Sequence, residues 1–466
     1  MQWARSGGLI LAAMVWAAAP SAMAQTLEAA LAKAYENNPQ INAQRAFLRA
    51  TNENVPQALS GYRPLVSATA SYGAQYIDSR STTTNVATGQ PLTTEQHGWN
   101  DPRSVGGTLT QNLFNGFQTA NRTRQAESQV FAARETLRVI EQTVLLDATT
   151  AYMNVLRDSA TLDLQKRNVE VIQEQLRQTR DRFNVGEVTR TDVAQAESRV
   201  AAAQSQVLAA ESNLAGSKAA FRRIIGIEPG RLTPGTPVDR LSPNKLDVAV
   251  SRGQTENPAV TAAEYGVDVA ALQVKVNEGA LYPTVNMQAS VQQNYDTSLS
   301  TSRAFTGGVF GLVSVPIYQG GQEFSKIRQS KETVGQRRLE LALNRDQARA
   351  NVVQAWAQLE AAKAQIEATR AQVAAAEIAL NGVREEARVG QRTTLDVLNA
   401  QQELVNSRVS LVTAQRDRVV ASYTLLSATG RLTAAALGLK VPLYDPMVHY
   451  QQVRDSWIGM RTPEGR

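Results

Sequence analysis

The chain has 466 residues, of which 43% are hydrophobic, 19% charged and 6% aromatic, so it is long and apolar enough to bury a core. It contains no cysteine, which excludes a disulfide framework, a thiolate nucleophile, a Cys-based metal site and anchoring through a lipidated N-terminal cysteine. The net charge of +6 comes from 48 basic and 42 acidic residues that do not form one basic block, which favours a solvated charged surface over nucleic-acid binding.

Residues 1–24 have the pattern of a secretory signal peptide. Arg5 supplies the positive start, a short apolar run occupies residues 9–19, and residues 22–24 form an Ala-Met-Ala cleavage site. The apolar run is shorter than the roughly 20 residues that a membrane-spanning helix needs. We therefore expect a secreted chain whose mature form begins at Gln25.

The mature sequence contains a long internal repeat. Residues 183–196 share Val, Gly, Thr, Asp, Val and Ala in register with residues 387–400, at an offset of 204 positions. The Asn-Pro pairs at 38–39 and 257–258 match at an offset of 219 positions, so the first copy has one insertion of 15 residues. Because glycines, prolines and helix caps recur together with the alanines, the similarity indicates a duplication.

Each repeat has the same predicted order of elements, namely an Ala-rich helix, two strands and a helical hairpin. The first repeat is predicted over residues 25–244 and the second over residues 245–435, followed by a C-terminal extension over residues 436–466. The Ala-rich helices are expected at about residues 26–60 and 245–279.

Two segments in each repeat show the alternation that is typical of membrane-crossing strands. They are predicted at about residues 64–76, 104–114, 283–295 and 305–318. Apolar residues alternate with small or polar ones, and a tilted strand needs about ten residues to cross a bilayer. A soluble sandwich strand shows the same alternation, but four such strands behind a signal peptide favour the membrane. The polar segments 77–103 and 296–304 are predicted to be extracellular loops, the first carrying the insertion.

A long helical hairpin is predicted after each strand pair, over residues 116–226 and 320–430. Each long helix ends before a glycine, Gly186 or Gly390, which suits the left-handed position after a helix, so the hairpin tips are expected there. Apolar residues recur every seven positions, the period of a coiled coil. They are Val155, Leu162, Val169, Leu176 and Phe183, and then Leu359, Ile366, Val373, Leu380 and Ala387.

No group of residues has the pattern of a catalytic or metal site. The two histidines, His97 and His449, are single and far apart, and there is no phosphate-binding loop or H-x-x-x-H motif. The carboxylates are scattered along polar helices, where a solvated face is the simplest interpretation. We therefore expect no enzymatic activity, no metal and no cofactor.

The strand count has a consequence for assembly. Four strands cannot close a barrel, because the smallest single-chain outer-membrane barrels have eight strands. An open sheet edge is not tolerated in lipid, so a chain with four spanning strands must form an oligomer. This argument does not fix the number of copies.

These features together resemble the TolC family of outer-membrane efflux and secretion ducts. The resemblance covers about residues 26–440 and rests on the duplication, on the order of elements and on two tip motifs, residues 183–193 and 388–398. The C-terminal Leu-Tyr-Asp-Pro at 443–446 and the segment 449–457 are similar to alphaproteobacterial members that are grouped with type I secretion.

The resemblance implies a mixed α+β membrane protein that assembles as a homotrimer. Four strands per chain would form a 12-strand outer-membrane barrel surrounded by lipid, and the hairpins would form an α-helical barrel in the periplasm. The implied function is a passive exit duct of an efflux pump or type I secretion system. A periplasmic adaptor and an inner-membrane pump of the RND or ABC type would dock at the tips, and no nucleic acid is a partner.

The resemblance also implies roles at the tips. Asp192 and Arg392 match a pair that links the closed tips, whereas the tyrosine of that network is replaced by Ala387. Asp396 matches one acidic residue of the lumen constriction, and Asn399 stands in place of the second. The adaptor-docking positions are Val185, Gly186, Val389, Gly390, Arg392 and Thr393.

Structural alternatives stand beside these assignments. Asp192 and Asp396 each follow a threonine by three residues, so a capping box alone would explain both carboxylates. For the whole chain, the alternatives are a periplasmic adaptor, which has one hairpin flanked by β-rich halves, and a secreted enzyme with helical domains. Two hairpins and four alternating strands favour the duct over both.

Overall fold

The structure is a computed structural model that describes residues 25–299, 301–463 and 465. The expected signal peptide at 1–24 lies outside these residues. The described helices are α1 (Leu27–Asn37), α2 (Pro39–Asn52), α3 (Asn54–Leu59), α4 (Gln118–Asn184), α5 (Arg190–Ile225), α6 (Leu246–Thr255), α7 (Pro258–Gly279), α8 (Gln322–Arg388), α9 (Thr394–Ala428) and α10 (Pro446–Val453). The strands are β1 (Leu65–Tyr72), β2 (Gln75–Thr84), β3 (Pro91–Asn100), β4 (Arg103–Asn115), β5 (Thr284–Ser298) and β6 (Thr301–Ser314).

The Ala-rich helix expected at the start of each repeat is broken at its Asn-Pro pair, so the prediction of one continuous helix is wrong. Pro39 has no N–H to donate within a helix, and the Asn38 side chain instead accepts a hydrogen bond of 2.8 Å from the Gln40 N–H, which starts α2. Asn257 and Pro258 repeat this arrangement at the start of α7.

Four strands form one antiparallel sheet in the order β1-β4-β5-β6. β1 ends at Tyr72, earlier than expected, because the chain leaves the ladder at Gly73, whose N–H donates to the Pro102 carbonyl. β6 lies at 301–314 and not at 305–318, since Pro316 cannot donate to a ladder.

The predicted loop 77–103 is mostly a second hairpin, so that prediction is also wrong. β2 and β3 pair antiparallel from Gln75 opposite Asn100 to Thr84 opposite Pro91. The segment lacks apolar alternation because both of its faces are largely exposed. Its many threonines nevertheless favour extended backbone.

The long helices α4 and α8 are each 67 residues long, about 100 Å at 1.5 Å per residue. Each packs antiparallel against a shorter helix, α5 or α9, to give one hairpin per repeat. Gly116 joins the sheet to α4 with a φ of 64°, and a Cβ there would lie 2.2 Å from the Gly279 carbonyl oxygen at the end of α7. Only glycine permits this close approach.

The largest core lies where the two repeats meet, between the sheet and the tips. Its fully buried aromatic residues are Tyr152, Phe221 and Tyr423, which pack with aliphatic residues of α1, α4, α5, α9 and the segment after α9. The Tyr152 hydroxyl lies 2.6 Å from the Thr233 carbonyl oxygen and 2.7 Å from that of Gln25. This core holds the inter-repeat linker and the segment that begins at Gln25 against both hairpins.

Candidate functional site

The register of the four-stranded sheet aligns apolar residues into continuous rows. One row contains Ala68, Gly107, Val291 and Gly307, and another contains Val66, Leu109, Ala289 and Val309. The intervening row on the opposite face contains Ser67, Thr108, Ser290 and Gly308. The apolar side chains are largely exposed in the single chain, which is the arrangement expected where lipid is the solvent.

Exposed aromatic residues lie at both ends of this apolar face. At the helix end they are Tyr62, Phe117, Tyr282 and Tyr318. At the other end, Tyr72 and Tyr295 both pair with Arg103 of β4. β4, β5 and β6 have 13, 15 and 14 residues, more than the roughly ten that a tilted strand needs to cross a bilayer, whereas β1 has eight. Aromatic residues of this kind are typical of membrane–water interfaces.

The two hairpin tips have the same geometry. Gly186 and Gly390 adopt φ values of 82° and 79°, and the chain then enters α5 or α9 through a capping box. Asp192 accepts a hydrogen bond of 2.9 Å from the Thr189 N–H, and Asp396 accepts one of 3.0 Å from the Thr393 N–H. Both aspartates that the sequence identified therefore act as helix caps.

These contacts also set the charge of the caps. Hydrogen bonds from the hydroxyl and N–H of Thr189 lower the pKa of Asp192. Hydrogen bonds from the N–H and hydroxyl of Thr393 likewise lower the pKa of Asp396. Both carboxylates are thus ionised at neutral pH and carry a negative charge at each tip.

The structure does not bring Asp192 and Arg392 together. The Arg392 Nε donates to Glu386 Oε2 at 2.8 Å, an ion pair across its own turn, and this contact raises the pKa of Arg392. Arg182 and Glu187 form the corresponding ion pair at the first tip, at 3.0 Å. Sequence reasoning missed both pairs, although opposite charges that flank each tip glycine were a usable signal.

Asn399 has a defined partner on the other hairpin. The Arg199 Nη2 of α5 donates to Asn399 Oδ1 of α9 at 2.7 Å. One residue earlier, Leu398 is buried against Ile172 and Ala196 of the first hairpin. The two hairpins are therefore in contact just above the tips, and no sequence pattern pointed to Arg199.

Four of the six predicted docking positions, the two valines and the two glycines, are open. Val185 and Val389 are each 72% exposed, and a Cβ built on Gly186 or Gly390 would meet no heavy atom within 4 Å. Thr393 is committed to the cap of α9. Each chain thus presents two similar exposed turns at the far end of its hairpins.

Within the described ranges, no helix has both the length and the apolarity needed to cross a membrane. Within the same residues, no group of three or more His, Asp or Glu side chains is placed to hold a metal ion. His97 lies on β3 and His449 on α10.

A four-stranded sheet with a lipid-type face, joined to helical hairpins whose longer helices measure about 100 Å, defines an outer-membrane export channel. Residues 30–227 and 249–431 match the family model described as Outer membrane efflux protein, one match for each repeat. The chain belongs to this family, and it is an outer-membrane channel.

Known relatives agree with this assignment. The chain is 43% identical over 448 residues to outer membrane efflux protein BepC of Brucella suis biovar 1 (strain 1330), covering 96% of this chain and 94% of that protein. It is 26% identical over 342 residues to outer membrane protein TolC of Escherichia coli (strain K12), covering 70% and 68%. The predicted membership of the TolC family and the predicted outer-membrane location are confirmed.

A solved structure supports the fold. The outer membrane protein VceC from Vibrio cholerae superposes with a TM-score of 0.72 at 19% identity, covering 87% of this chain and 96% of that chain. The predicted fold class is confirmed, and the adaptor alternative is not favoured.

Proposed function

We propose that this chain forms, as a homotrimer, the passive exit duct of a tripartite export system and catalyses no reaction. The observation that carries the proposal is the sheet order, in which β1 and β6 are the two edges. Edge N–H and C=O groups find no water in lipid, so a spanning sheet must close on itself. Four strands are too few to close alone, and three copies would supply the twelve strands that the family resemblance implies.

The mass of the purified mature chain in detergent micelles tests the proposal. We expect a single species of three copies that retains its β-structure, because the edges are satisfied only in the assembly. A monodisperse monomer with the same β-structure would contradict it.

We propose that the exposed tips are the docking surface for a periplasmic adaptor beneath an inner-membrane pump of the RND or ABC type. The support is repetition, since Val185 and Val389 are equally exposed on turns of the same geometry. Three copies would present six similar tips in a ring, which suits an adaptor that is itself repeated. The pump supplies the energy, and the duct supplies the path through the outer membrane.

We further propose that Asp192, Arg392, Asp396 and Asn399 form the periplasmic gate. In the single chain Arg392 is bound to Glu386, so a link to Asp192 requires the exchange of one exposed ion pair for another. Such pairs stabilise little. The closed state would therefore be held only modestly, and Asp396 would supply one ring of three carboxylates to the lumen.

A further inference from the structure

The chain after α10 returns to the sheet and is fixed there by Arg63. The Arg63 Nη1 donates to the Ser456 carbonyl oxygen at 2.6 Å, and its guanidinium lies 4.7 Å from the centre of the Trp457 ring. Arg63 is two residues before the start of β1. Trp457 therefore lies at the level where the sheet meets the helices.

The preceding part of the extension is attached firmly, so the position of Trp457 is defined. The Tyr444 N–H donates to the Tyr35 hydroxyl of α1 at 3.1 Å. The Tyr450 ring packs under the Arg134 guanidinium of α4, with 5.2 Å between Cζ and the ring centre. Arg454 pairs with Glu127 of α4 at 3.7 Å. These contacts connect the extension to two helices of the first repeat.

The residues that follow are apolar and exposed. Trp457 is 67% exposed and Ile458 94%, and Met460 is fully exposed, beside the exposed Arg461. An exposed apolar group of this kind next to a membrane-spanning sheet indicates contact with a nonaqueous surface. The aromatic residues at the helix end of the sheet, among them Tyr62, lie at the same level and continue this surface.

We propose that residues 456–461 are an interfacial lipid anchor, which binds the phospholipid leaflet that faces the periplasm. The Trp457 indole lies at the headgroup level, while Ile458 and Met460 enter the acyl boundary. Arg63 and Arg461 place positive charge beside the lipid phosphates, as interfacial arginines do. The segment thereby fixes the end of the chain to the membrane next to the first strand. The proposal rests on the membrane placement of the sheet.

Depth-dependent quenching of tryptophan fluorescence tests the anchor. The full mature chain carrying Trp99→Phe and Trp356→Phe, which leaves Trp457 as its one tryptophan, is reconstituted into vesicles of phosphatidylethanolamine and phosphatidylglycerol with brominated acyl chains. We expect about a twofold loss of fluorescence with bromines near the headgroups and a smaller loss with bromines near the bilayer centre, because indole prefers the interface. Fluorescence that bromolipids leave unchanged would overturn the proposal. So would protection of Trp457 from both bromolipid and aqueous acrylamide, since a neighbouring copy would then cover it.

A reference variant separates failure of the anchor from failure of membrane insertion. Val309→Trp, combined with Phe at Trp99, Trp356 and Trp457, places the probe on the apolar face of β6 and is expected to respond most to the deep bromines. If this probe is quenched and Trp457 is not, the anchor is wrong and the membrane sheet stands. If neither is quenched, both are wrong.

A second readout keeps the native tryptophans. The chain has no cysteine, so Met460→Cys accepts a single environment-sensitive fluorophore, and Leu443→Cys, also exposed and before α10, is the matched control. We expect the emission at position 460 to shift to the blue in vesicles relative to position 443. Equal emission at the two positions would overturn the anchor.

Discussion

Glu141 is a buried acid that holds the segment after α9. Its Oε1 accepts a hydrogen bond of 2.7 Å from the Ala434 N–H, and burial raises the pKa of Glu141, opposed by that hydrogen bond and by Arg45 and Arg138. The hydrogen bond that the carboxylate accepts stabilises the fold, whereas the burial of its negative charge destabilises it. A neutral acceptor of the same shape would keep the first property and remove the second.

We predict that Glu141→Gln raises the thermal midpoint slightly at neutral pH, whereas Glu141→Ala lowers stability by about 1–3 kcal/mol because the Ala434 N–H loses its partner. Because the folded pKa of Glu141 is raised, the folded state takes up the proton first as pH falls. The advantage of the Gln variant should therefore shrink between neutral pH and the ordinary carboxyl range. Melting curves at several pH values check this, and an advantage that grows on acidification would contradict it.

Asp192 and Asp396 make the same cap contacts, but only Asp396 is assigned to the lumen. We predict that Asp396→Asn lowers the cation selectivity of the channel in planar bilayers and removes its block by trivalent cations, because a ring of three carboxylates is lost. Asp192→Asn changes the equivalent cap contact at the first tip, but Asp192 is assigned to the link with Arg392 and not to the lumen ring, so this variant should leave cation selectivity and trivalent block in place. If Asp396→Asn leaves selectivity and block unchanged, Asp396 acts only as a helix cap.

This charge effect has a defined pH dependence. Hydrogen bonds from Thr393 lower the pKa of Asp396, so the carboxylate stays ionised through the ordinary carboxyl range. Cation selectivity should persist on mild acidification and be lost only as pH falls through the lowered pKa. The stability that the ionised cap contributes is fully present above the ordinary carboxyl range and is lost as pH falls through the lowered pKa of Asp396.

At the scale of elements, the tips allow a docking test that leaves the fold intact. We predict that Val185→Asp together with Val389→Asp abolishes export while the outer-membrane level of the protein stays normal. Both side chains are 72% exposed, so the substitutions cost little stability but place charge on the docking turns. Val448→Asp, at an exposed position of α10, is the control and should export normally. Full export by the double variant would place the dock elsewhere.

The elements that the sequence predicted correctly carry a periodic signal. The long helices α4 and α8 have apolar residues every seven positions and end just before glycines. In the strands of the four-stranded sheet, apolar residues on one face alternate with small or polar residues on the other. The β2–β3 hairpin gave no such signal, because a strand pair exposed on both faces needs no apolar side. The predicted Ala-rich helices continue through Asn38 and Asn257. In the structure they break there, because each asparagine side chain caps a new helix and the proline that follows cannot continue the old one.

In the candidate site, too, only the features with a local sequence pattern could be predicted. The capping boxes at Thr189 and Thr393 are local and were visible in the sequence, and the structure forms both. The contact between Arg199 and Asn399 joins residues 200 positions apart, so it depends on how the hairpins pack and has no local pattern. Arg392 pairs with Glu386, six residues before it in the chain, and not with Asp192 on the other hairpin, so a local ion pair forms in place of the predicted long-range one.

At the scale of the whole molecule, the sheet order gives a direct test of assembly. Within one chain β1 and β6 are separated by β4 and β5, about 14 Å for three strand spacings. A disulfide requires Cα atoms within about 7 Å, so cysteines on β1 and β6 of the same chain cannot join. Any disulfide between these strands must link two copies, and the natural chain contributes no cysteine of its own.

We predict that Thr69→Cys on β1, combined in turn with single cysteines along β6, yields disulfide-linked dimers and trimers at one register. The ladder on a denaturing gel should end at three copies, because a closed ring of three has no free edge. The control is Thr108→Cys with Ser290→Cys, whose positions are directly opposite on β4 and β5 and should give an internal bond that leaves a monomer. If no β6 position yields a linked species, or if the ladder continues beyond three, the edges do not meet in a closed trimer.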